Sequence, residues 1–133
     1  MSAILVVILS SSFAANVLAC QPAPPSVRSS DAIFVGYVTG ERWPDLEAEY
    51  SGGTNASTLG NARGYPLLLL RVVQTERLKG NAPHIVEAIS PCALPVEAGE
   101  RVFVSHIDGE YRVYPADIPG YEKAVREALR DNR

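Results

Sequence analysis

The sequence predicts a mainly β protein, a small five-stranded barrel with a C-terminal α-helix. Three observations carry that expectation. Short stretches of alternating or apolar residues recur between turn signals from Asp31 onward. The pair Asp108-Gly109 stands between two strand-like runs, the strongest short-range hairpin signal in the chain. Finally, Tyr121, Ala124, Val125, Ala128 and Leu129 follow the spacing of one helix face.

Length and composition fit one such domain. The chain has 133 residues, of which 47% are hydrophobic and 20% charged, with a formal net charge of −3. That balance suits a globular fold with a real core. The twelve Lys and Arg are scattered along the sequence with no basic stripe interleaved with aromatics, so no nucleic acid partner is expected. Two distant cysteines, Cys20 and Cys92, form neither a CxxC redox pair nor a zinc module.

Residues 1–19 read as a signal peptide. Ala3 to Leu9 is unbroken apolar sequence, three serines follow, and no Lys, Arg, Asp or Glu occurs before Arg28. The stretch closes on Val17-Leu18-Ala19, which places cleavage before Cys20 and the domain at 20–133. The expected location is secreted or periplasmic. Cys20 then has two incompatible fates. As a lipidated N-terminus it would tether the protein to the cell envelope, the one route to a membrane partner. As a free cysteine it could pair with Cys92, closing a loop that stabilises the fold by about 4 kcal/mol.

From Gln21 to Ser30 the chain is rich in proline and serine and is expected to run extended. Asp31 to Thr39 alternates as a strand, with Ile33, Val35 and Tyr37 on one face and Phe34 and Val38 on the other. Gly36 interrupts the second face and marks a bend, a bulge or a close backbone approach. Residues 41–64 read as a long loop with an acidic patch at Asp45, Glu47 and Glu49, taken as a solvated charge run. Trp43, the only tryptophan, stands at the root of this loop, either covering a barrel end or touching a ligand.

Tyr65 to Leu78 is expected to be a strand that bends over the core, turning at Lys79-Gly80-Asn81. His84 to Ile89 is a shorter strand, followed by Ser90-Pro91-Cys92. Arg101 to Ile107 and Glu110 to Tyr114 form the hairpin. In the tail, Pro119 suits the first helical turn, and Glu122, Lys123, Arg126, Glu127 and Arg130 face outward.

A cysteine at the mature N-terminus, prolines, then Ser30-Asp31-Ala32-Ile33-Phe34-Val35-Gly36 resembles the opening of the netrin-like and tissue-inhibitor-of-metalloproteinases group. Leu78-Lys79-Gly80, the mid-chain Cys92 and Gly99-Glu100-Arg101-Val102-Phe103-Val104 resemble its bacterial members. The resemblance runs from Cys20 to Tyr114 and implies an OB-type barrel. It also implies that the free amine and carbonyl of Cys20 chelate the zinc of a metalloprotease. Cys92 would clamp Cys20 by a disulfide, and Gln21 would enter the protease pocket. The group's second cysteine is replaced here by Pro22, and no cysteine follows Tyr114. The expected interaction edge is therefore Cys20, Gln21 and Pro22 with Trp43. Its partner would be a zinc metalloprotease or another extracytoplasmic protein.

No catalytic residue, metal site or cofactor is expected. The sequence has no G-x-S-x-G, phosphate loop or HExxH. Cys92, His106 and Asp108 could be drawn as a thiol triad, but a disulfide at Cys92 is the simpler reading. His84 and His106 have no third metal ligand at suitable spacing.

Overall fold

The computed structural model describes residues 23–50 and 66–133. Residues 1–19, together with Cys20, Gln21 and Pro22, lie outside the described residues, as do 51–65.

Strand β1 (Ala32–Arg42) is followed by helix α1 (Pro44–Tyr50), then by strands β2 (Leu69–Lys79) and β3 (Ile85–Ile89). A short 3-10 turn (Pro91–Ala93) leads to β4 (Arg101–Ile107), β5 (Glu110–Pro115) and helix α2 (Tyr121–Asp131). The strands close into a barrel in the order β1-β2-β3-β5-β4, the expected five-stranded, OB-like architecture with a C-terminal helix. All neighbours are antiparallel except β3 and β5, which pair in parallel through Ile89 and Arg112. Paired residues can be followed around the wall from Ile33 to Ser105, Arg112, Ile89 and Leu69. The path returns to β1 at Arg42, well beyond its starting point. That displacement is the stagger a closed barrel requires.

β1 explains how so small a barrel curls. Its register against β2 shifts at Ile33/Phe34, Val35/Gly36 and Val38/Gly40. A methyl group on Gly36 would stand 2.5 Å from the Val73 carbonyl oxygen and 2.6 Å from Val72 Cγ1, so a close backbone approach, one of the three roles expected of this glycine, is found here beside a register shift. Two threonine hydroxyls cap carbonyls near the irregular positions. Thr75 Oγ1 donates to the Val35 carbonyl at 3.2 Å, and Thr39 Oγ1 to that of Arg71 at 3.2 Å.

The alternation of β1 sorts its side chains between two cores. Phe34 and Val38 point into the barrel with Leu68, Leu70, Val72, Val102 and Val104. Ile33 and Val35 point outward, yet are as buried, because Phe103, Val27 and Val125 of α2 cover them. Tyr37 lies beyond that cover and is 43% exposed. In α2, Tyr121 and Val125 are buried, while Ala128 and Leu129 pack on the outer cluster. Ala124, expected on the same face, is instead exposed. The helix begins at Tyr121 after a left-handed Gly120 (φ 85°), so Pro119 precedes the helix rather than opening it.

The hairpin is as expected. Asp108 (φ 52°) and Gly109 (φ 78°) are both left-handed between the paired Ile107 and Glu110, which is the two-residue turn that matches strand twist. The expected loop at 41–64 needs correction in its first part. Glu41 and Arg42 finish β1, and residues 44–50 form α1. Pro44 opens that helix, and Asp45 and Glu47 in the first turn complement its dipole. No helix among the described residues is long and apolar enough to cross a membrane.

Candidate functional site

The expected recognition edge depends on how the chain before β1 is held. Residues 23–26 run without regular structure and 27–29 form a turn, so the Pro-rich segment is not extended throughout. The Ser30 amide and hydroxyl both donate to the Ser26 carbonyl, at 3.1 and 2.6 Å. The Ser26 hydroxyl accepts from the Ser29 amide at 3.3 Å. Val27 and Ser30 are buried, and the Asp31 amide donates to the His106 carbonyl at 2.8 Å.

What fastens this turn comes from far along the chain. Lys79 Nζ donates to the carbonyls of Val27 (2.7 Å) and Ser30 (2.6 Å). The next residue, Gly80, is left-handed (φ 62°), and a Cβ there would overlap the Asp31 carbonyl oxygen. Lys79-Gly80 is thus more than a turn. The lysine clamps the segment entering the barrel, and the glycine permits the two backbones to meet. Sequence reasoning assigned this pair only to a turn, since nothing local announces contacts 49 and 52 residues away.

Cys92 and Trp43 come together at one end of the barrel. Arg42, Leu69 and Ile89 lie in register across β1, β2 and β3, and the Ser90 amide donates to the Leu68 carbonyl at 2.9 Å. Trp43 continues from Arg42, and the 3-10 turn continues from Ser90. Trp43 and Ala93 both pack against the barrel interior, so the tryptophan covers the barrel end, one of the two roles expected of it. Cys92 is not a free cysteine. Cys92 (φ 56°) and Ala93 (φ 50°) are both left-handed, an uncommon conformation for residues with a Cβ. Buried Ser90 supports the turn, its hydroxyl donating to the Leu94 carbonyl at 2.7 Å.

The same end carries a second tie. Asp45, read as part of a solvated acidic run, is buried, and its Oδ2 accepts from the Leu67 amide at 2.8 Å. It therefore joins α1 to the start of β2 across the intervening segment. Arg42 adds exposed pairs to Glu47 (3.9 Å) and Glu87 (3.4 Å).

The residues drawn as a thiol triad do not combine that way. Cys92 is not free, and His106 lies against Asp31 (Nδ1 to Oδ2, 3.5 Å) and the Tyr111 ring (centroids 4.5 Å apart). His84 is exposed ahead of β3. Among the described residues no group of three or more His, Cys, Asp or Glu is placed to hold a metal.

Comparison with protein-family models, curated proteins and solved structures returns no match to this chain.

Proposed function

We propose that this chain is an exported, non-catalytic binding module of the netrin-like and metalloproteinase-inhibitor type, acting through a disulfide-pinned N-terminal Cys20. The observation that carries the reading is that Cys92 is not free, while the sequence contains one other cysteine, Cys20. Pairing these two would hold the mature N-terminus near the barrel end where Trp43 sits. The five-stranded barrel and the Lys79 clamp on residues 27–30 support the same arrangement, because both limit the freedom of the segment leading to Cys20. A pre-ordered edge loses little entropy on docking.

Chemically, an unprotonated α-amine and the carbonyl of Cys20 form a bidentate ligand for the open position of a catalytic zinc. Gln21 would follow into the adjoining pocket, with Pro22 stiffening the chain behind it. The partner is then a zinc metalloprotease met outside the cytoplasm.

The test is titration of the protein lacking residues 1–19 against a panel of zinc endopeptidases. Stoichiometric inhibition that disappears when the Cys20 amine is acetylated is the expected result. Equal potency after acetylation rules out chelation. The intact mass of the exported protein tests the pairing itself. A mass two hydrogens below the reduced chain is expected, and a gain of several hundred daltons would instead mean a lipid-anchored envelope protein.

A further inference from the structure

The outer face of the barrel carries a second surface that the recognition edge does not use. Between the end of β2 and the last turns of α2 lies a groove of about 670 Å³. Its lining includes Arg77 and Lys79 from β2 and Arg126, Arg130 and Arg133 from α2. Residues scattered in sequence are thus gathered on one groove of a protein whose formal net charge is −3. Among the described residues of the lining Glu76 is the only acidic one, and both its oxygens are taken by Arg126, at 3.1 Å each. Arg77 and Arg130 are exposed, and no carboxylate among the described residues lies in ion-pair range of either. Among the described residues Arg77 bonds only a neutral group, the Asn81 side-chain oxygen at 2.7 Å. Lys79 faces two carbonyls, and no carboxylate among the described residues is in ion-pair range of it.

Val27, Leu78 and Leu129 supply apolar lining between these cations. We infer that this groove docks an acidic segment of a partner protein, in which carboxylates flank an aliphatic side chain. Guanidinium groups match carboxylates in paired hydrogen bonds, the geometry that Arg126 already adopts with Glu76. A polyphosphate or sulfated glycan has nothing to set against the apolar lining. Arg77, Lys79 and Arg130, with no carboxylate of the described residues in ion-pair range, repel one another, and an incoming carboxylate relieves that repulsion.

The probe is a blocked synthetic peptide alternating Glu or Asp with Leu, bound to the protein lacking residues 1–19 and followed by calorimetry. Its control is the same peptide with Gln and Asn. The acidic peptide is expected to bind at least about tenfold more tightly than the amide control and to weaken as salt rises. The double variant Arg77→Glu/Arg130→Glu should lose about tenfold or more of that affinity. Arg77→Gln/Arg130→Gln, with a circular dichroism spectrum unchanged from the parent, guards against a folding defect and should lose part of it. Absence of saturable binding, equal affinity for the two peptides, or indifference to both variants overturns the inference. So does displacement of the peptide by phosphatidylserine vesicles or an oligothymidylate, which would assign the groove to phosphate. Acetylating the Cys20 amine should leave peptide binding intact, so this surface and the proposed protease edge fail separately.

Discussion

The Lys79 ammonium donates to the Ser30 carbonyl oxygen at 2.6 Å, joining residues 49 positions apart. With its second bond to Val27, it does for the entry segment what a cap does for a helix end, supplying a donor to carbonyls that water cannot easily reach. The first prediction is that Lys79→Met destabilises the protein by about 2–3 kcal/mol, the scale of lost hydrogen bonds from a charged donor. Urea unfolding reads the loss. Hydrogen exchange at the Ser30 amide should accelerate more than at Val104, deep in the barrel wall, and equal acceleration would contradict a local clamp.

Gly80 and Gly99 make a matched pair for testing the backbone contact beside that clamp. Both are left-handed, at φ 62° and 90°, but among the described residues only Gly80 faces another chain segment, at Asp31. Gly99→Ala should cost about 1–2 kcal/mol for conformation alone. Gly80→Ala adds an overlap with backbone and should exceed it by at least about 2 kcal/mol, comparable with other large steric penalties. Comparable denaturation midpoints for the two variants would show that the Gly80 approach can relax.

Gly36 and Gly40 repeat the comparison within one strand. An alanine methyl at Gly36 meets Val73 backbone at 2.5 Å, whereas no described residue lies within 4 Å of the corresponding position at Gly40. Gly36→Ala should therefore lower thermal stability sharply. Gly40→Ala should be neutral or stabilising by up to about 1 kcal/mol, through the lower entropy of the unfolded chain. The ordering of the two melting temperatures decides the matter.

A chain of ion pairs ties α2 to the barrel wall: Arg101 to Glu122 (3.1 Å), Glu122 to Arg126 (3.0 Å) and Arg126 to Glu76 (3.1 Å). The hydrogen bond from Arg126 holds the Glu76 carboxyl below its ordinary range. Those from Arg101 first, and Arg126 second, do the same for Glu122. Because the folded state binds these protons less readily than the unfolded chain, their contribution is full above the ordinary carboxylate range. It is lost as the pH falls through the lowered folded values. The groups are more than a third exposed, so each pair contributes about 0.2–1 kcal/mol. Glu76→Gln/Glu122→Gln should thus be less stable than the parent at neutral pH, with the difference shrinking in acid. A constant difference across that titration would assign the loss to packing instead.

Part of the barrel end was legible in outline, and the exceptions share a cause. Cys92 and Trp43 are conspicuous by residue type, and the structure brings both to one barrel end. Asp45 is not conspicuous, because an aspartate in an acidic run gives no sign that the amide of Leu67 will stand beside it. Lys79 and the cations of the α2 groove are hidden for the same reason. Each is ordinary in its local window, and its role arises from a neighbour dozens of residues away. Helix α1 is a different case. Pro44 followed by Asp45 and Glu47 is a helix-opening signal, but a segment of seven residues has too few turns to display a period.

By itself, the sequence determined the strands, the Asp108-Gly109 hairpin, the amphipathic α2 and the need for a glycine within β1, since these depend on residues a few positions apart. The five-stranded barrel followed as the economical way to close those strands. Only the tertiary structure decided that β1 would be buried on both faces, that Lys79 would clamp residues 27–30, and that scattered arginines would share one groove. Those outcomes depend on the stagger with which the barrel closes and on the face that α2 covers. Both are set by the packing of distant side chains, which no local pattern records.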